Sequence, residues 1–194
     1  MSKPAFTAID PAALDAVTGR LKALARSPQP FYIQAGCIEP HRLPPAEPNA
    51  DQDFLGRHIQ PDDSHGVTIP PYLRDTPGTR REMAELQGAV RHMDSQIGRI
   101  LTALDDLNLR DNTLVLFTTD HGIAMPRAKC SVYEAGLRTS LILRLPGRAG
   151  WTGGRRFPQL VSNIAYLPTI LDAAGLAAPA GVQGRSFAAL LDGK

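Results

Sequence analysis

An α/β architecture, with helices flanking a largely parallel sheet, is the fold class this sequence predicts, and three observations predict it. Helical and strand-like segments alternate along the 194 residues. Two nearly continuous apolar runs, TLVLFTTD (113–120) and SLILRLPG (140–147), have the pattern of strands covered on both faces. Between the first strand and these runs lies one long stripe of helical period. Alternation of this kind gives layered α/β folds, whose ligands bind beyond the carboxyl ends of the strands.

Each element has a local reason. Residues 10–26 place Leu14, Val17, Leu21 and Leu24 at helical spacing, with Asp10 as an N-cap ahead of Pro11. SPQP at 27–30 stops that helix, and FYIQAG at 31–36 predicts a short strand ending in glycine. Residues 40–78 carry Pro40, Pro44, Pro45, Pro48, Pro61, Pro70, Pro71 and Pro77 without a sustained period, which predicts that 42–78 is mostly loop, poorly packed on at least one side. From Thr79 to Leu109, Leu86, Val90, Met93, Ile97, Ile100, Leu101 and Leu104 form one apolar face, and Thr76 before Pro77 is its expected start. A last helix is expected over 163–174, closed by Gly175.

Composition narrows the function classes. The net charge is +2 and the Lys and Arg residues are scattered, which argues against a nucleic-acid partner. No stretch approaches the roughly eighteen apolar residues of a membrane span. The first residues, MSKPAFTAIDPAALDAV, show no basic-then-apolar leader, so the chain as it stands is expected in the cytoplasm unless the N-terminus of a longer protein is missing. Cys37 and Cys130 have no metal-ligand spacing and are expected to be small buried hydrophobes.

The residues able to do chemistry follow the strands. CIEPHR puts Glu39 and His41 after the first strand, and Asp120-His121-Gly122 follows TLVLFTT. Asp offers hard oxygen and His offers imidazole nitrogen, a reasonable donor pair for a divalent cation. Lys129, on the next loop, and His41 suit an anion that bridges to the metal. An Asp at a strand end also caps turns, and a His in a Pro-rich loop also sits in solvent; the residues alone leave both roles open.

Longer stretches carry a resemblance. PFYIQAGCIEPHR, the block TLVLFTTDHGIAMPRAKCSVYEAGLRTSLILRLPG, the helix DTPGTRREMAELQGAVRHMDSQIGRILTALDDLNLRDNT and VSNIAYLPTILDAAGL with VQGRSFAALL resemble the later part of the sulfatase catalytic domain, in the manner of bacterial proteins similar to heparan N-sulfatase. The resemblance runs from about Pro30 onward. It implies an incomplete alkaline-phosphatase-like sandwich, a single partial sulfatase domain over 1–194, with 1–30 as N-terminal helix and linker and 31–194 as core segment. It implies that Asp120 and His121 are metal ligands, usually for Ca2+, that Lys129 holds the sulfate, and that His41 contacts the ester near the leaving group.

The implied activity is hydrolysis of sulfate esters or N-sulfates on a sulfated small molecule or glycan. His121, where the family often has Asn, keeps phosphonate and phosphate esters open, and a non-catalytic remnant that binds anions or a partner is the other alternative. The family's nucleophile is formylglycine, made from the cysteine of a Cys-x-Pro-Ser-Arg or similar motif. Here Cys37 stands in Gly-Cys-Ile-Glu and Cys130 in Lys-Cys-Ser-Val, and neither fits. Asp62-Asp63 is a paired Asp, but in the loop. The chain is thus expected to need a missing N-terminal sulfatase half.

Overall fold

A computed structural model describes residues 5–7, 11–42, 54, 59–151 and 154–193. Along the chain run β1 (Ala5–Thr7), α1 (Pro11–Leu24), β2 (Ile33–Ala35), α2 (Pro77–Asp106), β3 (Val115–Thr118), α3 (Glu134–Leu137), β4 (Leu141–Arg144), α4 (Tyr166–Ala173) and α5 (Ala188–Leu191). The α/β class stands. The expected N-cap Asp10 and the prolines at 44, 45 and 48 lie outside the described residues. The chain divides into two compact units, Met1–Leu107 with Thr119–Thr139, and Asn108–Thr118 with Ser140–Lys194.

The first unit is organised by α2. Thr76 is its N-cap, accepting a hydrogen bond from the Thr79 amide, with Pro77 in the first turn. The helix ends at Asp106 rather than Leu109, because Asn108 takes the left-handed conformation (φ 56°) that breaks the ladder and that Asn tolerates better than most residues. Its buried face, Met83, Leu86 and Ala89, packs with Phe54 and Met125. On the side of α1, Val17 and Leu21 are buried, and that helix packs against α2. β1, which the sequence did not announce, pairs with β2 in parallel, Ala5 opposite Ile33.

Between 59 and 76 the Pro-rich stretch has no helix or strand and most of its residues are exposed, as expected, while one side of it packs closely. Phe54 is 1% exposed and Ile59 4%, and Val67, Ile69 and Leu73 rest on the α2 cluster. Proline prevents regular structure without preventing burial. Hydrogen bonds fix the loop as well: the Asp62 amide donates to Ala84 O at 2.8 Å, and Gln87 Nε2 donates to the carbonyls of Asp62 and Gly66.

In the second unit β3 and β4 pair antiparallel, Val115 opposite Arg144 and Thr118 opposite Leu141. The expectation of one largely parallel sheet therefore gives way, among the described residues, to two two-stranded sheets, one of each sense. Nor are these strands covered on both faces: Val115, Leu116 and Phe117 are half-buried, and Ile142 is 63% exposed. A strand's faces are covered only by layers packed above and below its sheet, so its apolar composition does not by itself bury it. Trp151, Ala188 and Leu191 form the unit's core. Trp151 Nε1 and the Arg148 guanidinium both donate to the Asp192 carboxylate, which ties the end of α5 to the turn after β4.

Two measurements check this account. Gly88→Ala in mid-helix would ordinarily stabilise α2 by up to about 1 kcal/mol. Here the added Cβ falls 2.0 Å from Gln60 O, a backbone atom held in the loop. Overpacking of about 1–3 kcal/mol outweighs the propensity gain, so urea unfolding should show a net loss; a more stable variant would refute the loop's seating. The second concerns acid. Hydrogen bonds from the Ser64 side chain and amide, helped by Arg91, hold the Asp62 carboxyl below its usual range. A carboxyl depressed in the folded state contributes stability at higher pH and loses it as pH falls through the folded value. Asp62→Asn should be less stable than the parent at pH 7, and the gap should close below about pH 4. A gap constant from pH 7 to pH 3 would show the shift to be absent.

Candidate active site

The four side chains singled out by sequence all fall in the first unit. His41 follows β2 by way of Gly36–Pro40, and its amide donates to Ile38 O in a turn. Asp120, His121 and Lys129 lie on the 119–139 loop. That loop is folded tightly on itself: the Gly122 amide donates to Gly136 O at 2.9 Å, the Lys129 amide to Ile123 O at 3.0 Å, and the Ser131 amide to Ala128 O at 3.1 Å. Ala128 is fully buried. Arg127 (φ 65°) and Cys130 (φ 64°) bracket Lys129 in the left-handed region, which costs non-glycine residues about 1–2 kcal/mol each. The loop's own hydrogen bonds hold these angles, and so hold Lys129.

His41 and Lys129, 88 positions apart, meet: Lys129 Nζ is 2.8 Å from His41 Nε2. The chemistry of the contact fixes the ring. An ammonium only donates, so Nε2 is the acceptor and carries the lone pair. The proton is then on Nδ1, which donates to Arg42 O at 2.6 Å, a carbonyl that can only accept. His41 is thus neutral in this contact. Its partner being imidazole rather than carboxylate, the charge of Lys129 is not neutralised by it.

Asp120 and His121 form the second pair. His121 Nδ1 donates to Gly122 O at 2.6 Å, which leaves Nε2 facing Asp120 Oδ2 at 3.5 Å. In the neutral ring two lone-pair atoms then face each other, and since the Asp120 side chain is 87% exposed, water or a cation can lie on both. The donor set, one carboxylate oxygen and one imidazole nitrogen, fits one edge of a divalent-cation shell. It fills no more than that, and among the described residues no group of three or more His, Cys, Asp or Glu could hold a metal. No hydrogen bond or ion pair among the described residues joins the Asp120–His121 pair to the His41–Lys129 pair.

The cysteines depart from expectation: both are exposed. Apolar composition around a cysteine in sequence says little about which loop surface it ends on. Neighbouring atoms strip part of the water from the Cys37 sulfur, and this, with the Glu39 carboxylate, pushes its thiol pKa up, so it is a poor thiolate nucleophile. His65 is exposed, and His92 is half-buried on α2 beside Gln96. Sequence reading missed Arg42, which donates to Ala124 O at 2.7 Å and to Glu82 Oε2 at 2.6 Å. Those partners lie 82 and 40 positions away, beyond any local signal.

The loop's tightness is directly testable. A Cβ on Gly122 would fall 1.7 Å from Ala135 O, and one on Gly136 would fall 2.4 Å from the carbonyl oxygens of Ala128 and Ser131. Gly122→Ala should therefore open the 119–139 loop, seen as faster amide exchange over 122–136 and a stability loss of about 1–3 kcal/mol. Unchanged exchange there would mean that the close approach is not real.

Comparison with known proteins bears on the whole chain. An ulvan-active sulfatase of Formosa agariphila is 37% identical over 119 residues, covering 61% of this chain and 20% of that protein. The endo-4-O-sulfatase of Bacteroides thetaiotaomicron is 33% identical over 171 residues, covering 84% and 32%. Human N-sulphoglucosamine sulphohydrolase is 28% identical over 173 residues, covering 79% and 34%. Among solved structures, one described under the metabolism of multiple glycosaminoglycans by Bacteroides thetaiotaomicron superposes with a TM-score of 0.73 at 27% identity, covering 93% of this chain and 38% of that one. The yidJ protein of Bacteroides fragilis gives 0.69 at 25% identity, covering 93% and 40%. The chain thus spans between a fifth and two fifths of these proteins. With the sulfatase family model matching residues 6–176, both candidate pairs included, this chain belongs to the sulfatase family.

Proposed function

We propose that this chain is the anion- and metal-binding portion of a sulfatase that hydrolyses sulfate esters or N-sulfates on a sulfated glycan, and that its two units are parts of one alkaline-phosphatase-like domain. The observation that carries the reading is the meeting of Lys129 with His41 across 88 positions at 2.8 Å, beside a loop that also presents Asp120 and His121. The relatives' names support the substrate class: one acts on ulvan, one is an endo-4-O-sulfatase and one is an N-sulphoglucosamine sulphohydrolase.

The residues divide the work by charge. Lys129 Nζ carries three N–H donors and a full positive charge, suited to sulfate oxygens. His41 Nε2 stands at the same ammonium and orients it; only after taking up a proton from solvent could that nitrogen pass one to the leaving oxygen or nitrogen. Asp120 and His121 would hold a divalent cation, Ca2+ by family, together with ligands from elsewhere, since calcium takes about six to eight oxygens. Such an ion supplies charge neutralisation at sulfur's oxygens. The nucleophile is expected from a formylglycine motif, which the 194 residues do not contain.

A reading of this kind makes the isolated chain a binder without turnover. Purified 194-residue chain with calcium and an aryl sulfate should give no hydrolysis above background. Calorimetry should show weak calcium binding, in the range of about 0.1–1 mM, lost in Asp120→Ala, and inorganic sulfate binding lost in Lys129→Ala. Turnover that vanishes in Asp120→Ala would mean that another nucleophile works here. Failure to bind either ion would remove the assignment of the two pairs.

A further inference from the structure

We infer that Arg42 is the positioning residue that sets His41 against Lys129, and so sets the geometry of the anion site; this rests on the reading of that pair given above. Arg42 directly follows His41, yet its side chain turns away to join three separate stretches. Nε donates to Ala124 O at 2.7 Å, and Nη2 to Glu82 Oε2 at 2.6 Å, with Met125 Sδ at 3.3 Å. The guanidinium carbon lies 4.3 Å from the centre of the Phe54 ring. The side chain is only 19% exposed, so these contacts are not those of a surface arginine.

The placement of the partners matters more than their number. Ala124 and Met125 form the base of the turn that carries Lys129: the Lys129 amide bonds Ile123 O, and the Ala128 amide bonds Met125 O. Glu82 belongs to α2, the unit's longest element. One planar fork therefore fixes the backbone at 41–42 relative to both the helix and the Lys129 turn. The Arg42 carbonyl is also the acceptor for His41 Nδ1–H. Holding Arg42 thus holds the bond that leaves the His41 lone pair on Nε2, toward Lys129. Lysine in its place keeps a charge but has no fork, so it cannot reach the Ala124 carbonyl and the Glu82 carboxylate in the same geometry.

Imidazole nitrogen NMR on the intact chain, read together with inorganic sulfate affinity, tests this. In the parent His41 should show the Nδ1-protonated tautomer. Arg42→Gln and Arg42→Lys should both lose that preference, with sulfate affinity falling about tenfold, the loss expected from releasing a charged hydrogen bond. Amide spectra of the second unit should stay unchanged. Should Arg42→Gln fail to fold, Glu82→Gln, which removes one anchor and leaves Arg42 in place, should move the tautomer and the affinity in the same direction. Variants that keep both the tautomer and the affinity, or an Arg42→Lys that restores both, would overturn the proposal. Lys129→Ala separates the two ideas. If it binds sulfate like the parent, the anion-site reading fails, while the tautomer measurement still decides the role of Arg42.

Discussion

The apolar face of α2 is what the rest of the first unit depends on. Met83, Leu86 and Ala89 are buried there against Phe54 and Met125, which come from the Pro-rich stretch and from the loop that bears Lys129. Each large apolar side chain so buried contributes about 1.5–3 kcal/mol. The partly buried Arg42–Glu82 pair replaces contacts that both groups make with water, so its net contribution, about 1–3 kcal/mol, is smaller than that of the apolar cluster taken together. Packing therefore decides where the two loops sit, and the polar contacts decide how their ends are turned. Gly88 belongs to the same seam: it lets the Gln60 backbone lie against the helix where any side chain would hold it off.

The 119–139 loop shows a second use of close approach. It has one short helix and no strand, yet its glycines meet backbone oxygens at distances no Cβ could share. Short hydrogen bonds among Gly122, Ile123, Ala128, Lys129, Ser131 and Gly136 close it into a rigid body. That rigidity keeps Arg127 and Cys130 in left-handed conformations, a strain located within two residues of the candidate anion-binding lysine.

What could be read in advance followed from local physics. The long helix was legible because a periodic stripe and a Thr–Pro start are properties of consecutive residues, and the structure begins it at Pro77 with Thr76 as cap. β3 and β4 were legible as strands but not as a pair, because sense and register depend on neighbours far away in sequence. Proline density around 61–71 told of irregular backbone with an open side, but not of the side that packs, where Val67, Ile69 and Leu73 lie on the apolar cluster. His41 and Lys129 were each nominated by resemblance, and their contact was not visible in either segment alone. Arg42 had no signal at all: an arginine after a histidine is ordinary until its partners arrive from α2 and the distant loop.

The two candidate pairs are electrostatic opposites, and this gives their shared loop its meaning. A lysine held by a carboxylate has its charge cancelled, whereas one held by a neutral imidazole is oriented and remains fully cationic, which calls for an anion. Asp120 and His121 face each other with a carboxylate oxygen and a ring nitrogen at 3.5 Å, two acceptors that a metal ion could join. One tightly closed segment thus asks for negative charge at one position and positive charge at another. A group whose oxygens could lie on an ammonium and on a divalent ion would satisfy both. In the proposed reading that group is a sulfate ester, in keeping with the family whose model matches residues 6–176.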